Sequence, residues 1–284
     1  MEILVNQNNH LPYQDMNLIQ FQRLAILAQD IFITRLVHRP VVDSTNNLAI
    51  ELSKDDNPDG LVVIADKQTG GRGRRGNEWC SPEGNLYMSV VFSPSLRVSN
   101  NIVENSLIQL ITLMSGVAIV DAVDNLTGIK VSLKWPNDLI IEDKKVGGIL
   151  TESRYHASSI KYLVIGIGIN ITDRAFPPSI VNRAISLSQF TNNTISRDEL
   201  VFEILKSLDK WYRIFKEQEV DEIKGKIINQ WKNYNCTIGR RVRVISDVRT
   251  ITGTAIDIAN SGDLIVQAED GNVFSITSGS LEFL

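Results

Sequence analysis

The sequence predicts a mixed α/β (α+β) domain followed by a small all-β module. Up to about residue 234, short apolar and β-branched runs alternate with longer segments of helical spacing. After residue 235, only short strand-like runs remain, separated by Gly-Asp and Asp-Gly turns. The 284 residues suffice for one large and one small domain, at roughly 150 residues per domain. We therefore predict domains at 1–234 and 235–284.

Composition and charge describe an ordinary folded protein. Hydrophobic residues make up 43% of the chain and charged residues 22%, which excludes a wholly disordered chain. The net charge of −4 argues against an overall basic nucleic-acid-binding protein, although a local basic patch is compatible with it. Cys80 and Cys236 are the only cysteines, and their spacing favours neither a disulfide framework nor a zinc site.

The localisation expected from the sequence is cytoplasmic. The first ten residues, MEILVNQNNH, lack the cationic start and the apolar run of a signal peptide. No apolar stretch approaches the roughly 20 residues that a membrane-spanning helix needs. We therefore expect a soluble protein without a membrane partner.

The elements of the first half are predicted from apolar runs and the residues that bound them. Apolar positions within residues 16–38 have roughly helical spacing and favour a helix there. Residues 41–42 predict a short strand, and Asp43 or Ser44 is the expected N-cap of the helix that follows. The other predicted elements are strands at 61–66 and 85–92 and a buried helix at 104–123, which is apolar on most faces.

The second half begins with strands and continues with two helices before the β-rich tail. Residues 139–141 and 146–150 flank the turn signal Glu-Asp-Lys and predict a hairpin. Residues 197–217 carry apolar side chains near i, i+4 spacing, which predicts an amphipathic helix. The remaining predicted elements are strands at 131–135 and 162–171, a helix at 219–232, and a small β-barrel from about 235.

A loop rich in glycine and arginine, GGRGRRG at residues 70–76, is the most informative segment. Glycines let the backbone turn tightly and expose N–H groups, and guanidinium groups add fork-shaped donors. Such a loop can cradle a phosphate or a carboxylate. A flexible, basic surface loop explains the same composition equally well. Nucleic-acid binding by this single patch has little support on an acidic chain.

A second candidate segment is KWPND at residues 134–138, together with Lys145. A tight turn at the end of a strand explains Pro-Asn-Asp without any function. The predicted hairpin can also bring the carboxylate of Asp138 and the ammonium of Lys145 to one end of a sheet. A lysine placed there could neutralise negative charge that develops on a carboxyl or phosphoryl oxygen.

A third candidate is GIGIN at residues 166–170, which lacks the G-x-G-x-x-G dinucleotide fingerprint. Two glycines in a buried strand indicate close backbone packing, or a planar ligand against the strand with Asn170 bonded to it. Similar alternatives hold for three other places. Ser44, Thr45 and Asn46 could cap a helix or contact a polar ligand, and the same two kinds of role, structural or ligand-binding, are open for Gln68. Trp79 could belong to the core or form a stacking surface.

In their order along the chain and in their residues, these segments resemble the biotin–protein ligases, also called biotin–[acetyl-CoA-carboxylase] ligases or holocarboxylase synthetases. The resemblance covers about residues 41–171, and the β-rich tail is similar to the small SH3-like C-terminal domain of that family. The basic glycine loop combined with KWPND is its most specific part. The matching segments are residues 42–46, 65–76, 79–82, 85–87, 134–138, 145–149 and 166–170.

The resemblance implies a mixed-sheet catalytic domain of the biotin/lipoate ligase type and a two-step reaction. Biotin and ATP, with Mg²⁺, give biotinyl-5′-AMP and pyrophosphate, and the biotinyl group then passes to one lysine of a biotin carboxyl carrier protein or domain. Lys145, Arg74 and Asp138 are the implied catalytic residues, with Lys145 at the carboxyl end and the α-phosphate and Asp138 near the incoming lysine. The residues implied to bind biotin or the adenylate are Ser44, Thr45, Asn46, Gln68, Gly71, Arg72, Gly73, Arg74, Trp79, Asn137, Lys145, Gly148 and Asn170.

The sequence also departs from the family pattern. Asn77 stands where many members have a third arginine, so we expect Arg72 and Arg74 to supply the positive charge of the loop. About 40 residues precede Val41, fewer than the DNA-binding domain of some members needs, and we expect neither DNA binding nor repressor activity. A lipoate or octanoate ligase or transferase of the same fold is one alternative, and a non-catalytic biotin sensor is another. The metal ligands and the oligomeric state stay open, and relatives of this form are often homodimers.

Overall fold

The computed structural model describes residues 2–4, 30–54, 58–93, 104–156, 159–172, 176–217 and 220–284. The helix expected within residues 16–38 lies mostly outside this described part. The described residues resume at Asp30 and a strand begins at Arg35, so residues 35–38 of that stretch are not helical. The β-branched Val37 and the apolar Leu36 lie on opposite faces of this strand, and both are buried.

An eight-stranded mixed sheet forms the centre of the large domain, as predicted. Its strand order is β1-β2-β3-β4-β8-β7-β6-β5, and every pair of neighbours is antiparallel except β2 and β3. Parallel pairing needs a crossover, and the short helix α1 (Thr45–Leu52) supplies it. The strands are β1 Glu2–Leu4, β2 Arg35–Val42, β3 Leu61–Gln68, β4 Leu86–Phe92, β5 Ser132–Lys134, β6 Asp138–Ile141, β7 Lys144–His156 and β8 Ser159–Ile169.

The two faces of this sheet are covered by different helices because side chains alternate along each strand. On one face, Val63 and Val164 pack with Ala49 of α1. On the other face, Val62 and Ile165 join a larger core. That larger core contains the helices α2 (Glu104–Thr127), α3 (Arg197–Glu217) and α4 (Val220–Tyr234), which confirm the three helices predicted at 104–123, 197–217 and 219–232.

Helix α2 corrects one expectation about apolar length. Its segment Ser106–Thr127 is long and apolar enough to cross a membrane by length and composition alone. However, 83% of its most apolar window is buried inside the protein, where Leu110 and Met114 belong to the main core. The apolar character on most faces therefore reflects a helix enclosed by the sheet and by α3 and α4.

The hairpin of β6 and β7 ends in a two-residue turn that fixes its register. Both turn residues, Glu142 and Asp143, have left-handed backbone angles, with φ of 49° and 61°. Two consecutive residues of this kind match the twist of a tight β-hairpin. The pairing sets Asp138 opposite Gly148, and Lys134 of β5 opposite Asp138. The hairpin predicted from Glu-Asp-Lys is therefore confirmed.

The chain ends in a five-stranded antiparallel sheet of order β12-β11-β10-β9-β13, which agrees with the predicted small β module. Trp135 attaches this module to the large domain. Its backbone N–H donates to Thr237 Oγ1 and its indole N–H donates to the carbonyl of Gly262, both at 3.0 Å. The strands are β9 Arg241–Ile245, β10 Thr250–Ile258, β11 Leu264–Ala268, β12 Val273–Ile276 and β13 Ser280–Phe283.

Candidate active site

A cavity of about 190 Å³ lies between the glycine-arginine loop, the hairpin and the C-terminal module. Residues 279–281 of the C-terminal module complete its wall. Gly71 and Asn170 are predicted site residues that do not line the cavity. The predicted residues that do line it are Ser44, Thr45, Asn46, Gln68, Arg72, Gly73, Arg74, Trp79, Asn137, Asp138, Lys145 and Gly148.

Glycines on β7 and β8 form the floor of the cavity. A Cβ on Gly166 would lie 2.3 Å from Asn46 Oδ1, and a Cβ on Gly168 would lie 2.6 Å from the Trp79 indole. A Cβ on Gly148 would lie 3.1 Å from Lys145 Nζ. These glycines therefore make room for the polar and aromatic side chains of the site, which explains why a buried strand carries them.

The N-terminus of α1 forms one end of the cavity and is buried. Ser44 occupies the N-cap position, as predicted, but its side chain makes no capping hydrogen bond. The backbone N–H of Thr45 donates instead to Gln68 Oε1 at 2.8 Å. A glutamine from the end of β3 thus satisfies a free N–H of the helix, and this contact holds the two elements together.

The two ends of the glycine-arginine loop are tied to each other. Gln68 Nε2 donates to Ser81 Oγ at 2.9 Å, and Ser81 Oγ donates to the carbonyl of Trp79 at 2.8 Å. A Cβ on Gly71 would lie 2.4 Å from both Ser81 Oγ and the Trp79 carbonyl, so only glycine fits there. Gly71 consequently shapes the loop from behind the cavity.

Arg72 and Arg74 of the loop have different partners. Arg72 lies 2.5 Å from the carboxylate of Glu152, a β7 residue that was not predicted from the sequence. Arg74 Nη1 donates to Asn137 Oδ1 at 3.1 Å and to the carbonyl of Gly279 at 3.4 Å. Burial lowers the pKa of Arg74; Asp138 opposes this effect and Arg75 adds to it, yet a guanidinium stays charged in proteins.

Lys145 and Asp138 contact each other on the hairpin of β6 and β7, as the sequence suggested. The Lys145 Nζ lies 2.5 Å from Asp138 Oδ1 and 5.3 Å from the ring centroid of Trp79. Lys134 is a further cation that was not assigned a role from the sequence, and burial lowers its pKa while Asp138 opposes that effect. Asp138 thus interacts with two ammonium groups, those of Lys134 and Lys145.

Asn170 lies beside the site and supports it. Its Nδ2 donates to the carbonyls of Lys145 and Ile185 at 3.3 and 3.1 Å, and its backbone N–H donates to the carbonyl of Val146. That Asn170 binds the adenylate stays a prediction; in this structure its amide N–H groups bond to the backbone around Lys145. Its buried position follows from the end of β8, next to the start of β7.

The carboxylates on the cavity wall are Asp138 and Glu78. Within the described residues, no group of three or more His, Cys, Asp and Glu side chains could hold a metal ion. One or two carboxylates suit Mg²⁺ that arrives on substrate phosphates, because this ion keeps several waters and phosphate oxygens as ligands. Glu78 and Asp138, the latter paired with Lys145, are the carboxylates of the cavity wall that could hold such an ion.

Two family profiles and several related proteins match this chain. The Biotin/lipoate A/B protein ligase family matches residues 39–170, and the Biotin protein ligase C terminal domain matches residues 237–284. The Bifunctional ligase/repressor BirA of Bacillus subtilis is 33% identical over 259 residues, which are 90% of this chain and 76% of that relative. The biotin–[acetyl-CoA-carboxylase] ligase of Mycobacterium tuberculosis is 28% identical over 241 residues, 80% of each chain.

Solved structures give the same result. The biotin protein ligase of Aquifex aeolicus in complex with biotin and ATP has a TM-score of 0.72 and 32% identity, and the match covers 88% of this chain and 99% of that chain. A biotin protein ligase of Leishmania major in complex with biotin shares the fold at 24% identity and a TM-score of 0.59, over 86% and 98% of the two chains. The chain therefore belongs to the biotin protein ligases, within the biotin/lipoate A/B protein ligase family.

Proposed function

We propose that this protein is an ATP-dependent, AMP-forming biotin protein ligase. It converts biotin and ATP to biotinyl-5′-AMP and pyrophosphate, and then transfers the biotinyl group to a lysine of a biotin carboxyl carrier protein or domain. The observation that carries the proposal is the cavity in which Arg74, Lys145 and Asp138 converge above a glycine floor. The Aquifex relative bound to biotin and ATP supports both substrates.

The buried end of the cavity suits the ring system of biotin. Its ureido group presents one carbonyl acceptor and two N–H donors. The hydroxyls of Ser44 and Thr45 and the amide of Gln68 offer both kinds of hydrogen-bonding group at this end of the cavity. Gly166 and Gly168 line the cavity beyond them, where the apolar ring and the aliphatic chain would lie. The carboxyl group would then point towards the two cations.

Adenylation joins two negatively charged reactants, so positive charge must offset their repulsion. Arg74 and Lys145 lie on the same cavity wall, where a guanidinium and an ammonium can stabilise charge on the α-phosphoryl oxygens in the transition state. Bound magnesium would neutralise phosphate charge, and the Asp138 carboxylate would be one of its ligands. The carboxylate oxygen of biotin forms the new P–O bond, and pyrophosphate leaves.

Transfer of the biotinyl group needs a neutral amine and a dry intermediate. Biotinyl-5′-AMP is a mixed anhydride that water would hydrolyse. The loop at residues 70–76, closed over the cavity, would keep water out. In this proposal the Asp138 carboxylate, which lines the cavity, accepts a proton from the incoming lysine ammonium. The amine nitrogen then attacks the acyl carbon, the amide bond forms, and AMP leaves.

Further statements about partners extend this proposal. The name of the Mycobacterium relative supports acetyl-CoA carboxylase as the source of the acceptor lysine. A cytoplasmic location and a homodimer are predictions that fractionation and analytical ultracentrifugation can check. The Bacillus relative is named as a repressor as well as a ligase. The predicted lack of DNA binding is checked by a DNA titration at varied salt.

Biotin-dependent exchange of pyrophosphate into ATP tests the proposed activity. We expect exchange with biotin and magnesium, followed by labelling of one lysine in a purified carrier domain. Lipoate and octanoate, tested in the same way, separate biotin ligases from the other activities that the family name covers. A protein that catalyses no exchange at saturating biotin, or exchanges with lipoate alone, would contradict the proposal.

A further inference from the structure

Glu152 lies behind the cavity wall and contacts two of the residues that form it. It belongs to β7, where it pairs with Val164 of β8, and its side chain is 18% exposed. Its carboxylate accepts hydrogen bonds from Arg72 of the loop and from Asn46 of α1. One carboxylate therefore connects the glycine-arginine loop, the central sheet and the buried end of the site.

The contact with Arg72 fastens the loop to the sheet. Arg72 Nη2 lies 2.5 Å from Glu152 Oε2, and Nη1 lies 3.3 Å from Oε1, which is the two-pronged geometry of a strong arginine–carboxylate pair. The backbone of Arg72 also bridges to Glu78 on the returning half of the loop. The charge of Arg72 is thus matched within the protein, whereas Arg74 has neutral acceptors and faces the cavity.

The contact with Asn46 fixes the orientation of its amide group. Asn46 Nδ2 donates to Glu152 Oε2 at 2.8 Å and to the carbonyl of Leu150 at 3.3 Å. Its Oδ1 accepts a hydrogen bond from Ser89 Oγ at 2.6 Å. With its amide committed in this way, Asn46 contributes to the site through its fixed position more than through free donors.

A continuous chain of hydrogen bonds runs from Arg72 in the middle of the loop to Trp79 near its end. Ser89 Oγ lies 2.8 Å from Thr45 Oγ1, which joins the Asn46 contacts to Gln68 and through it to Ser81. Ser81 bonds the carbonyl of Trp79 at the far end of the loop. Thr45, Asn46, Ser81 and Ser89 of this chain are buried, so loss of the Glu152 carboxylate leaves the buried amide of Asn46, as well as the exposed Arg72, without a partner.

We propose that Glu152 is a positioning residue of the ligase reaction. It holds the loop over the cavity through Arg72, and it orients Asn46 at the end that receives the biotin ring. We call Glu152, Arg72 and Asn46 the loop latch. The inference rests on the proposed function, because the latch matters most while the enzyme holds the reactive adenylate.

Substitution Glu152→Gln tests the latch because it removes the charge and keeps nearly the same shape. We expect biotinyl-5′-AMP to dissociate about tenfold faster, equivalent to about 1.4 kcal/mol. The single-turnover rate of adenylate formation at saturating biotin and ATP should fall less than about threefold, since the latch does not touch the reacting atoms. Arg72→Gln should speed release of the adenylate by a similar factor, and the double variant should release it clearly less fast than the sum of the two effects would give.

Two further variants separate the latch from a general loss of structure. Glu152→Asp keeps the charge and should restore part of the retention of the adenylate. Arg154→Gln removes the other cation near Glu152, 3.9 Å from Oε1, and leaves the loop contacts in place. Its adenylate release should match wild type. If Glu152→Gln does not fold, the same comparison is made between Glu152→Asp and wild type, with faster release expected from the shorter side chain.

Limited trypsin digestion without ligands tests the latch independently of any activity. Residues 72–75 contain three arginines, and we expect Glu152→Gln to be cleaved there several times faster than wild type and Arg154→Gln. If the wild-type protein forms no adenylate, the proposed function is wrong, but the digestion still tests whether Glu152 holds the loop in place. Unchanged adenylate release, or unchanged cleavage of Glu152→Gln, would overturn the inference.

Discussion

The two cations of the cavity differ in how much of their charge is already matched. Lys145 lies against Asp138, whereas Arg74, in the part of the chain that the structure describes, forms no salt bridge and bonds to neutral oxygens. A partly buried guanidinium whose hydrogen bonds go to neutral oxygens attracts an anionic ligand. We therefore expect Arg74 to engage a phosphate directly and Lys145 to exchange Asp138 for the reacting group.

Substitution Lys145→Ala is predicted to cripple adenylation. Removal of one donor that stabilises transition-state charge costs about 2.7–4 kcal/mol, or a fall in rate of roughly a hundredfold to a thousandfold. Single-turnover formation of biotinyl-5′-AMP measures this directly. The exposed neighbour Lys144 is the matched control, and Lys144→Ala should stay near wild type. A rate within about threefold of wild type for Lys145→Ala would remove Lys145 from the mechanism.

Asp66 is a half-buried carboxylate that supports the fold away from the cavity. It lies 2.9 Å from His38 Nε2 and 2.6 Å from Arg197 Nη1. Burial alone would raise the pKa of Asp66, but hydrogen bonds from His38 and Arg197 outweigh this effect and hold the pKa below the ordinary 3.8. The ion pairs therefore stabilise the folded state when Asp66 is ionised.

The sign of this shift sets its pH dependence. Because the folded pKa lies below the unfolded value, the stabilisation is complete above the unfolded pKa and is lost as the pH falls through the folded one. Asp66→Asn should lower the free energy of unfolding in urea near pH 7, and its difference from wild type should shrink as the pH falls below about 4. Asp124→Asn, which breaks the exposed pair with Lys130, should change little. A pH-independent difference for Asp66→Asn would contradict this account.

At the scale of elements, the glycine-arginine loop is held at its tip as well as at its ends. Arg75 has a left-handed backbone with φ of 56°. Its side chain donates to the carbonyl of Ile245 at 2.7 Å and lies 2.5 Å from Asp247 Oδ1 in the C-terminal module. The loop therefore forms a cover that both the central sheet and the C-terminal module support.

Substitution Arg74→Gly should weaken retention of the adenylate. The change removes the only guanidinium of the loop that lines the cavity without an ionic partner, within the described residues, and adds backbone freedom. The readout is biotinyl-5′-AMP released to solution per turnover, or labelling of a bystander protein. Arg249→Gly, which alters an exposed arginine over Phe274, is the control. If Arg74→Gly releases no more biotinyl-5′-AMP than wild type, the loop does not have the covering role proposed for it.

Most elements could be predicted from local patterns, whereas the site residues were assigned through the family resemblance. The turn Glu142-Asp143 lies between two apolar runs, so the hairpin was predicted. The glycines on β8 left close packing or a ligand open, because the side chains that lie over them, Asn46 and Trp79, are distant in sequence. Glu152 could not be predicted, because its partner Arg72 is 80 positions away and a single glutamate in a strand has no special spacing. The wall at residues 279–281 depends on how two sheets dock, which no local pattern encodes.

At the scale of the whole molecule, the site depends on docking of the C-terminal module. Trp135 is 1% exposed and lies between the hairpin and that module, and its indole N–H donates to the Gly262 carbonyl. Gln109 of α2 donates to the same carbonyl at 3.3 Å. The KWPND motif thus has a structural part in its tryptophan, and we propose a functional part for its last two residues.

Substitution Trp135→Phe should destabilise the protein while preserving most of its apolar packing. Loss of the donor leaves the Gly262 carbonyl with one weaker partner, at a cost of about 1–3 kcal/mol in the free energy of unfolding. Urea unfolding measures this cost. Trp211→Phe is a comparison with a longer hydrogen bond, 3.4 Å to Asp121, and should lose less through its N–H. Equal stability of Trp135→Phe and wild type would contradict the docking role of Trp135.

In the mechanism proposed here, residues 70–76 close over an activated acyl-phosphate and hold it for an amine. A crystal structure with a stable analogue of biotinyl-5′-AMP tests this most directly. We predict that the Arg74 guanidinium and Lys145 Nζ lie within hydrogen-bond distance of the acyl-phosphate oxygens, with the loop covering them and Arg72 still on Glu152. A loop that points away from the acyl-phosphate, with no contact to it, would contradict the account.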